Sequence, residues 1–220
     1  DPLSPIQLKT QRSRFAPTDP ILLARAGLGP VRDEVAVEMF RASVEVLRQS
    51  VDRQGRRLVL RSHPHSMFCT EVDWTKRPTL GEMFEPVCTV ISAVSVRHPL
   101  DAWLSLVQND WRHFDPFCLD EYARRYHAFL DRHEGVPHFK YETFVNDPDE
   151  QVRLLCDALE LKYNSDWQAL ISAIRLSGDS GRKGDTITAR PRRETPDSVV
   201  QEVKSSSSFL DLCERLGYEI

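Results

Sequence analysis

Three groups of polar residues in the 220-residue sequence have the types and spacing to handle an anion and a proton together. Arg61, His63 and His65 fall within LRSHPH. A histidine near its ordinary pKa takes a proton from a hydroxyl at neutral pH, and a cation beside it steadies developing negative charge. Arg97 and Ser105 fall within RHPLDAWLS, and a guanidinium and a hydroxyl both donate to phosphate oxygens. Arg182, Lys183 and Gly184 sit in SGRKGD, two cations between glycines. The three groups suit transfer of a charged group to an alcohol or amine. Taken singly, each also has an ordinary structural reading: a histidine at a strand end, an arginine closing a strand, a solvated basic loop.

The elements that must hold these residues are legible from periodicity. Val87 to Val96 is apolar or small, rich in β-branched residues and free of charge, which predicts a strand buried on both faces. The pattern breaks at Arg97. His98-Pro99 turns the chain, Pro99 suits a first helical position, and Leu100, Trp103, Leu104 and Val107 follow at helical spacing. In open α/β sheets the carboxyl ends of strands face the ligand crevice, and a helix start offers unpaired N–H groups to an anion. Arg97 stands at that point, with Ser105 on the second turn.

Arg57 to Ser62 predicts a short strand that delivers His63 and His65, and Val136 to Tyr141 another. Helices are predicted near Ile21 to Ala26, for about five turns from Asp33, at Leu80 to Phe84, from Leu119, after Asp147-Pro148, and over Asp166 to Leu176. A last helix opens at Thr195-Pro196-Asp197, breaks at Ser205 to Ser208 and ends at Gly217. Ser177 to Arg193 reads as an exposed basic loop. Alternating strands and helices imply an α/β fold with a parallel sheet covered on both faces.

Composition narrows the class. The formal net charge is −4 and 28% of residues are charged, which argues against a general nucleic-acid binder. The 40% hydrophobic content supports one sizeable core and a single domain over residues 1–220. Five scattered cysteines without a CxxC pair suggest neither a zinc site nor a disulfide framework, and point to a reducing, cytoplasmic setting. No apolar run is long enough to span a bilayer.

The segments LVLRSHPHSMF, VSVRHPLDAWLSL, FKYETFVNDPDEQVRLLCDALEL and SGDSGRKGDTITARPRRETP, in this order, resemble the sulfotransferases that use 3′-phosphoadenosine 5′-phosphosulfate (PAPS). The resemblance covers most of the chain after residue 58. It implies a three-layer α/β fold, a parallel sheet flanked by helices as in P-loop kinases. It implies that Arg97 and Ser105 hold the 3′-phosphate of PAPS and that Arg182, Lys183 and Gly184 close over it. His63 takes the place of the catalytic base with His65 as its rival, Arg61 lies near the transferred group, and Tyr141-Glu142 matches a structural motif. The partner would be a small-molecule or carbohydrate acceptor, and no metal is implied.

One family feature is missing from the sequence. No Gly-rich stretch of the kind that cradles the 5′-phosphosulfate occurs, and DPLSP at the start resembles the piece that follows it, so the expectation is a chain lacking its first strand and that loop. Two other readings stand beside a transferase. A degenerate member would bind a nucleotide or partner without turnover; a nucleotide-dependent kinase shares the architecture but would need a Walker A stretch and a Mg²⁺ carboxylate.

Overall fold

A computed structural model describes residues 19–171, 187–189 and 194–220. They form a mostly helical mixed α/β structure with a small two-stranded parallel sheet. The chain divides into two compact units, one from the residues up to Ser62 together with Glu82–Val87, the other from His63–Gly81 and Cys88–Ile220.

The first unit contains α1 (Asp19–Ala26) and α2 (Asp33–Asp52). The five-turn period of the sequence is realised in α2, with Asp33 and Glu34 in its first turn, where carboxylates complement the helix dipole. Gly55 just beyond it has φ 68°, a conformation that favours glycine. Within this unit Phe40 meets Phe84 edge to face at 5.3 Å. Arg57 to Ser62 does not form the expected strand. Val59 is 64% exposed, and no described strand pairs with this short apolar run.

The second unit holds α3 (His65–Phe68), β1 (Val94–Val96), α5 (Pro99–Gln108), α6 (Leu119–Asp131), β2 (His138–Lys140), α7 (Tyr141–Asn146), α8 (Pro148–Ala158), a 3-10 turn at Trp167–Leu170, α9 (Asp197–Ser205) and α10 (Ser207–Leu216). The short helix α4 spans Leu80–Phe84. The strand expected over Val87 to Val96 is confined to its last three residues. Among the described residues only those three pair with another strand: Val94, Ser95 and Val96 pair in parallel with His138, Phe139 and Lys140. Upstream, Val87 and Ile91 are exposed, so the apolar run reported composition rather than pairing. The helix expected over Asp166 to Leu176 is a 3-10 turn as far as Leu170, and residues 172–176 lie outside the described residues.

Helices bury one face of β1: Val94 and Val96 are buried while Ser95 between them and His138 of β2 are exposed, so the strand expected to be buried on both faces is buried on one. Val94 and Val96 join Trp103 and Leu104 of α5, Leu119, Ala123 and Leu130 of α6, Val199 and Val203 of α9, and Phe209, Leu212 and Cys213 of α10 in one core. The break foreseen at Ser205 to Ser208 is a capped junction: buried Ser206 Oγ accepts from Phe209 N at 3.1 Å and donates to Asp120 Oδ1 at 2.6 Å. Glu202 Oε2 accepts from Leu119 N at the start of α6, so the α10 start is capped by its own N-cap serine and the α6 start by a side chain from α9. Gly217 ends α10 in the left-handed region at φ 63°, the usual glycine stop.

Candidate functional site

Register explains where Arg97 goes. Val96 is level with Lys140 in a parallel pair, so the next residues of both strands emerge side by side: Arg97 beside Tyr141, His98 beside Glu142. The Arg97 guanidinium carbon lies 5.8 Å from the Tyr141 ring centroid. Below it, burial pushes the Tyr122 and Tyr126 hydroxyls up, Tyr126 to about 12, while the Arg97 charge and backbone work in the opposite sense. The Nε of Arg97 is buried and donates no hydrogen bond, and its guanidinium forms no ion pair among the described residues.

The helix start after Arg97 is engaged internally. His98 N donates to Glu142 Oε1 at 3.0 Å, Pro99 has no N–H, and Leu100 N donates to His98 Nδ1 at 3.2 Å. Because that nitrogen accepts, the His98 proton sits on Nε2 and is donated to the Glu219 carbonyl at 2.8 Å. Tyr218 packs on the His98 ring at 4.9 Å and donates from its hydroxyl to Glu142 Oε2 at 2.6 Å. The free N–H groups expected at this helix start are thus largely spent on Glu142 and His98. Glu142 serves as the internal anion of the junction, a role the sequence signalled only as Tyr141-Glu142 after a strand.

Burial tends to raise the Glu142 pKa, but the bonds from Tyr218 and His98 N outweigh it and hold the carboxyl below its ordinary 4.5. A carboxyl with a depressed folded pKa contributes stability that is complete above its unfolded value and is lost as pH falls through the folded one. The melting temperature should therefore drop below about pH 4.5, and drop less steeply in Glu142→Gln, which keeps an acceptor for His98 N. Parallel melting curves from pH 7 to 3 check this, and identical slopes would contradict it.

Ser105 lies on α5 roughly 9 Å along the axis from Pro99, at 1.5 Å per residue. Its Oγ receives a 3.4 Å contact from Asn109 Nδ2 and donates to no described residue. Arg97 and Ser105 share one strand–helix unit, and no hydrogen bond joins them. Arg182, Lys183 and Gly184 lie outside the described residues, as do Arg190 to Arg193.

The histidines form a separate cluster on α3 and the aromatic loop after α5. His65 Nε2 and His113 Nδ1 are 2.9 Å apart, the His63 ring is 6.2 Å from that of His65, and Trp111 packs on His65 at 5.4 Å. Burial, then the neighbouring His113 and His63, bring the His65 pKa down to about 4, so its ring is neutral at neutral pH. His113 escaped the sequence reading; the available signal was a histidine inside the aromatic stretch Trp111 to Phe117. Arg61 is exposed and belongs to the first unit.

Arg125 anchors α3. Its guanidinium donates to the Phe68 carbonyl at 3.1 Å, the Thr70 carbonyl at 2.6 Å and Glu121 Oε1 at 2.8 Å, sandwiched between Trp74 and Phe114 at 4.8 and 4.7 Å. A cleft of about 170 Å³ lined by Val96, Leu130, His138, Lys140, Arg215 and Leu216 contains none of the residues singled out for chemistry. Its cations are already engaged, Lys140 with the Gly217 carbonyl and Arg215 with Asp131. No group of three His, Cys, Asp or Glu residues is arranged as metal ligands among the described residues, and none of their helices is long and apolar enough to cross a membrane. No protein-family model, curated protein or solved structure matches the chain.

Proposed function

We propose that this chain is a PAPS-dependent sulfotransferase of the three-layer, P-loop-kinase-like α/β kind, acting on a hydroxyl or amine of a small-molecule or carbohydrate acceptor. The observation that carries the reading is Arg97. A cation with a buried N–H that donates to nothing costs stability, and its place at the carboxyl end of a parallel strand suits an anionic ligand. The 3′-phosphate of the nucleotide fits that requirement, and Ser105 has a hydroxyl proton available on the same strand–helix unit. Arg182, Lys183 and Gly184 would complete the phosphate grip.

Bound there, PAPS supplies an activated sulfuryl group on a phosphate. The chain's own part is to hold the nucleotide by its phosphate and take the acceptor's proton on His63 or His65. A second reading, a nucleotide binder without turnover, is favoured by the Glu142 carboxylate already seated at the α5 start.

Calorimetric titration with adenosine 3′,5′-bisphosphate and with adenosine 5′-monophosphate tests the site. The bisphosphate is expected to bind at least about tenfold more tightly, the equivalent of roughly 1.4 kcal/mol for the added 3′-phosphate. Equal affinities would remove the basis of the proposal. Release of the bisphosphate from PAPS in the presence of phenols, sugars and amines then separates a transferase from a binder.

A further inference from the structure

The contact between His65 and His113 fixes more than a ring position. Two imidazole nitrogens 2.9 Å apart share one proton, so one nitrogen donates while the other accepts. If His113 Nδ1 carried the proton, His65 would hold its own on Nδ1 and have no bare nitrogen left. Both rings would then sit in the tautomer that free histidine disfavours. If His65 Nε2 carries it, both rings adopt the Nε2–H form that free histidine prefers. The second arrangement costs less, and it leaves the Nδ1 lone pair of His65 exposed to a ligand. No described residue donates to that nitrogen.

The surroundings keep the ring unprotonated at neutral pH and fix its place, though the burial that lowers its pKa to about 4 makes it a weaker base than an ordinary histidine. His65 is half-buried with the partly exposed Trp111 indole against it, and α3 is pinned by Arg125 through the Phe68 and Thr70 carbonyls, so the ring stands on an anchored element. His63, two residues earlier, is exposed and precedes the helix.

We propose that His113 is a positioning residue: by accepting the Nε2–H of His65 it keeps the His65 Nδ1 bare and makes His65, rather than His63, the group that takes the acceptor's proton. In that step the acceptor O–H or N–H bond breaks, the proton goes to His65 Nδ1, and the electron pair remains on the acceptor atom as the nucleophile. The imidazolium formed keeps its Nε2–H on His113, which spreads the charge over two rings. The proton's source rests on the transferase reading; the tautomer does not.

The full chain labelled with ¹⁵N, examined at pH 7 by long-range proton–nitrogen correlation through the ring C–H protons, reads the tautomer directly. In the wild type the His65 Nδ1 is expected to resonate as a bare nitrogen and Nε2 as a protonated one. His113→Phe keeps an aromatic ring beside Trp111 but offers no acceptor, and both His65 signals should move toward the averaged values of free histidine. His113→Gln restores a carbonyl acceptor and should return them. A protonated or averaged His65 Nδ1 in the wild type would overturn the proposal, as would a His113→Phe variant with unmoved His65 signals. Adenosine 3′,5′-bisphosphate should bind all three proteins within about twofold of one another. If it binds none of them, the sulfotransferase reading falls while the tautomer result stands.

Discussion

Arg97→Met is expected to weaken adenosine 3′,5′-bisphosphate binding about a hundredfold while leaving the nucleotide-free protein as stable as the parent, or more so. The two effects have one cause. In the free protein the methionine fills the volume of the arginine stem and removes a buried Nε–H that donates to nothing, a change worth up to about 1 kcal/mol in favour of folding after the weak Tyr141 contact is lost. With nucleotide, the same substitution removes the cation opposite a dianionic phosphate, and truncating one partner of such a pair costs about 2–5 kcal/mol. Calorimetry and thermal melts on the same two proteins are the measurement. A variant that loses stability and keeps its affinity would mark Arg97 as a structural residue and end the phosphate assignment.

The largest effect on folding is expected at Arg125. Arg125→Met leaves Glu121, whose side chain is only 14% exposed, with just the longer 3.6 Å pair to the exposed Arg124, and takes the Arg125 donor from the Phe68 and Thr70 carbonyls. Breaking a buried pair from one side costs about 3–5 kcal/mol, a large part of the roughly 5–15 kcal/mol that holds a domain together. For a chain of this size that is a fall in melting temperature of roughly 6–20 °C. The double variant Arg125→Met with Glu121→Leu should recover part of the loss, because the stranded carboxylate is then gone too. Urea titrations of the single and double variants decide it; a single variant within about 1 kcal/mol of the parent would show that Trp74 and Phe114 alone hold this corner.

The helices of this protein could be read before its structure because their signals are local. Asp147-Pro148 opens α8 with the aspartate accepting from Glu150 N, Pro99 opens α5, and Gly217 closes α10 in the left-handed region. Strand pairing is not local. Val87 to Ala93 has the same apolar or small character as Val94 to Val96, and what separates them is the presence of His138 to Lys140 alongside the latter. The site follows the same division. Arg97 was legible because a cation that ends an apolar run before a proline-started helix has one place to go. Glu142 was marked as structural only through the resemblance and His113 not at all, since each gains its role from a residue more than forty positions away: Glu142 from His98 and His113 from His65.

The clasp between the strand–helix junction and the end of α10 sets a timetable for synthesis. His98 and the Glu219 carbonyl it bonds are separated by 121 residues, and at translation speeds of about 5–20 residues per second roughly 6–24 s pass between their arrivals. Until α10 and the residues after it are made, Glu142 lacks the Tyr218 hydroxyl and the core lacks Phe209 and Leu212, so the second unit must wait on the ribosome with its centre open. A chaperone that binds extended apolar segments would meet Val94 to Val96 in that window, and would have to let go as α10 arrives.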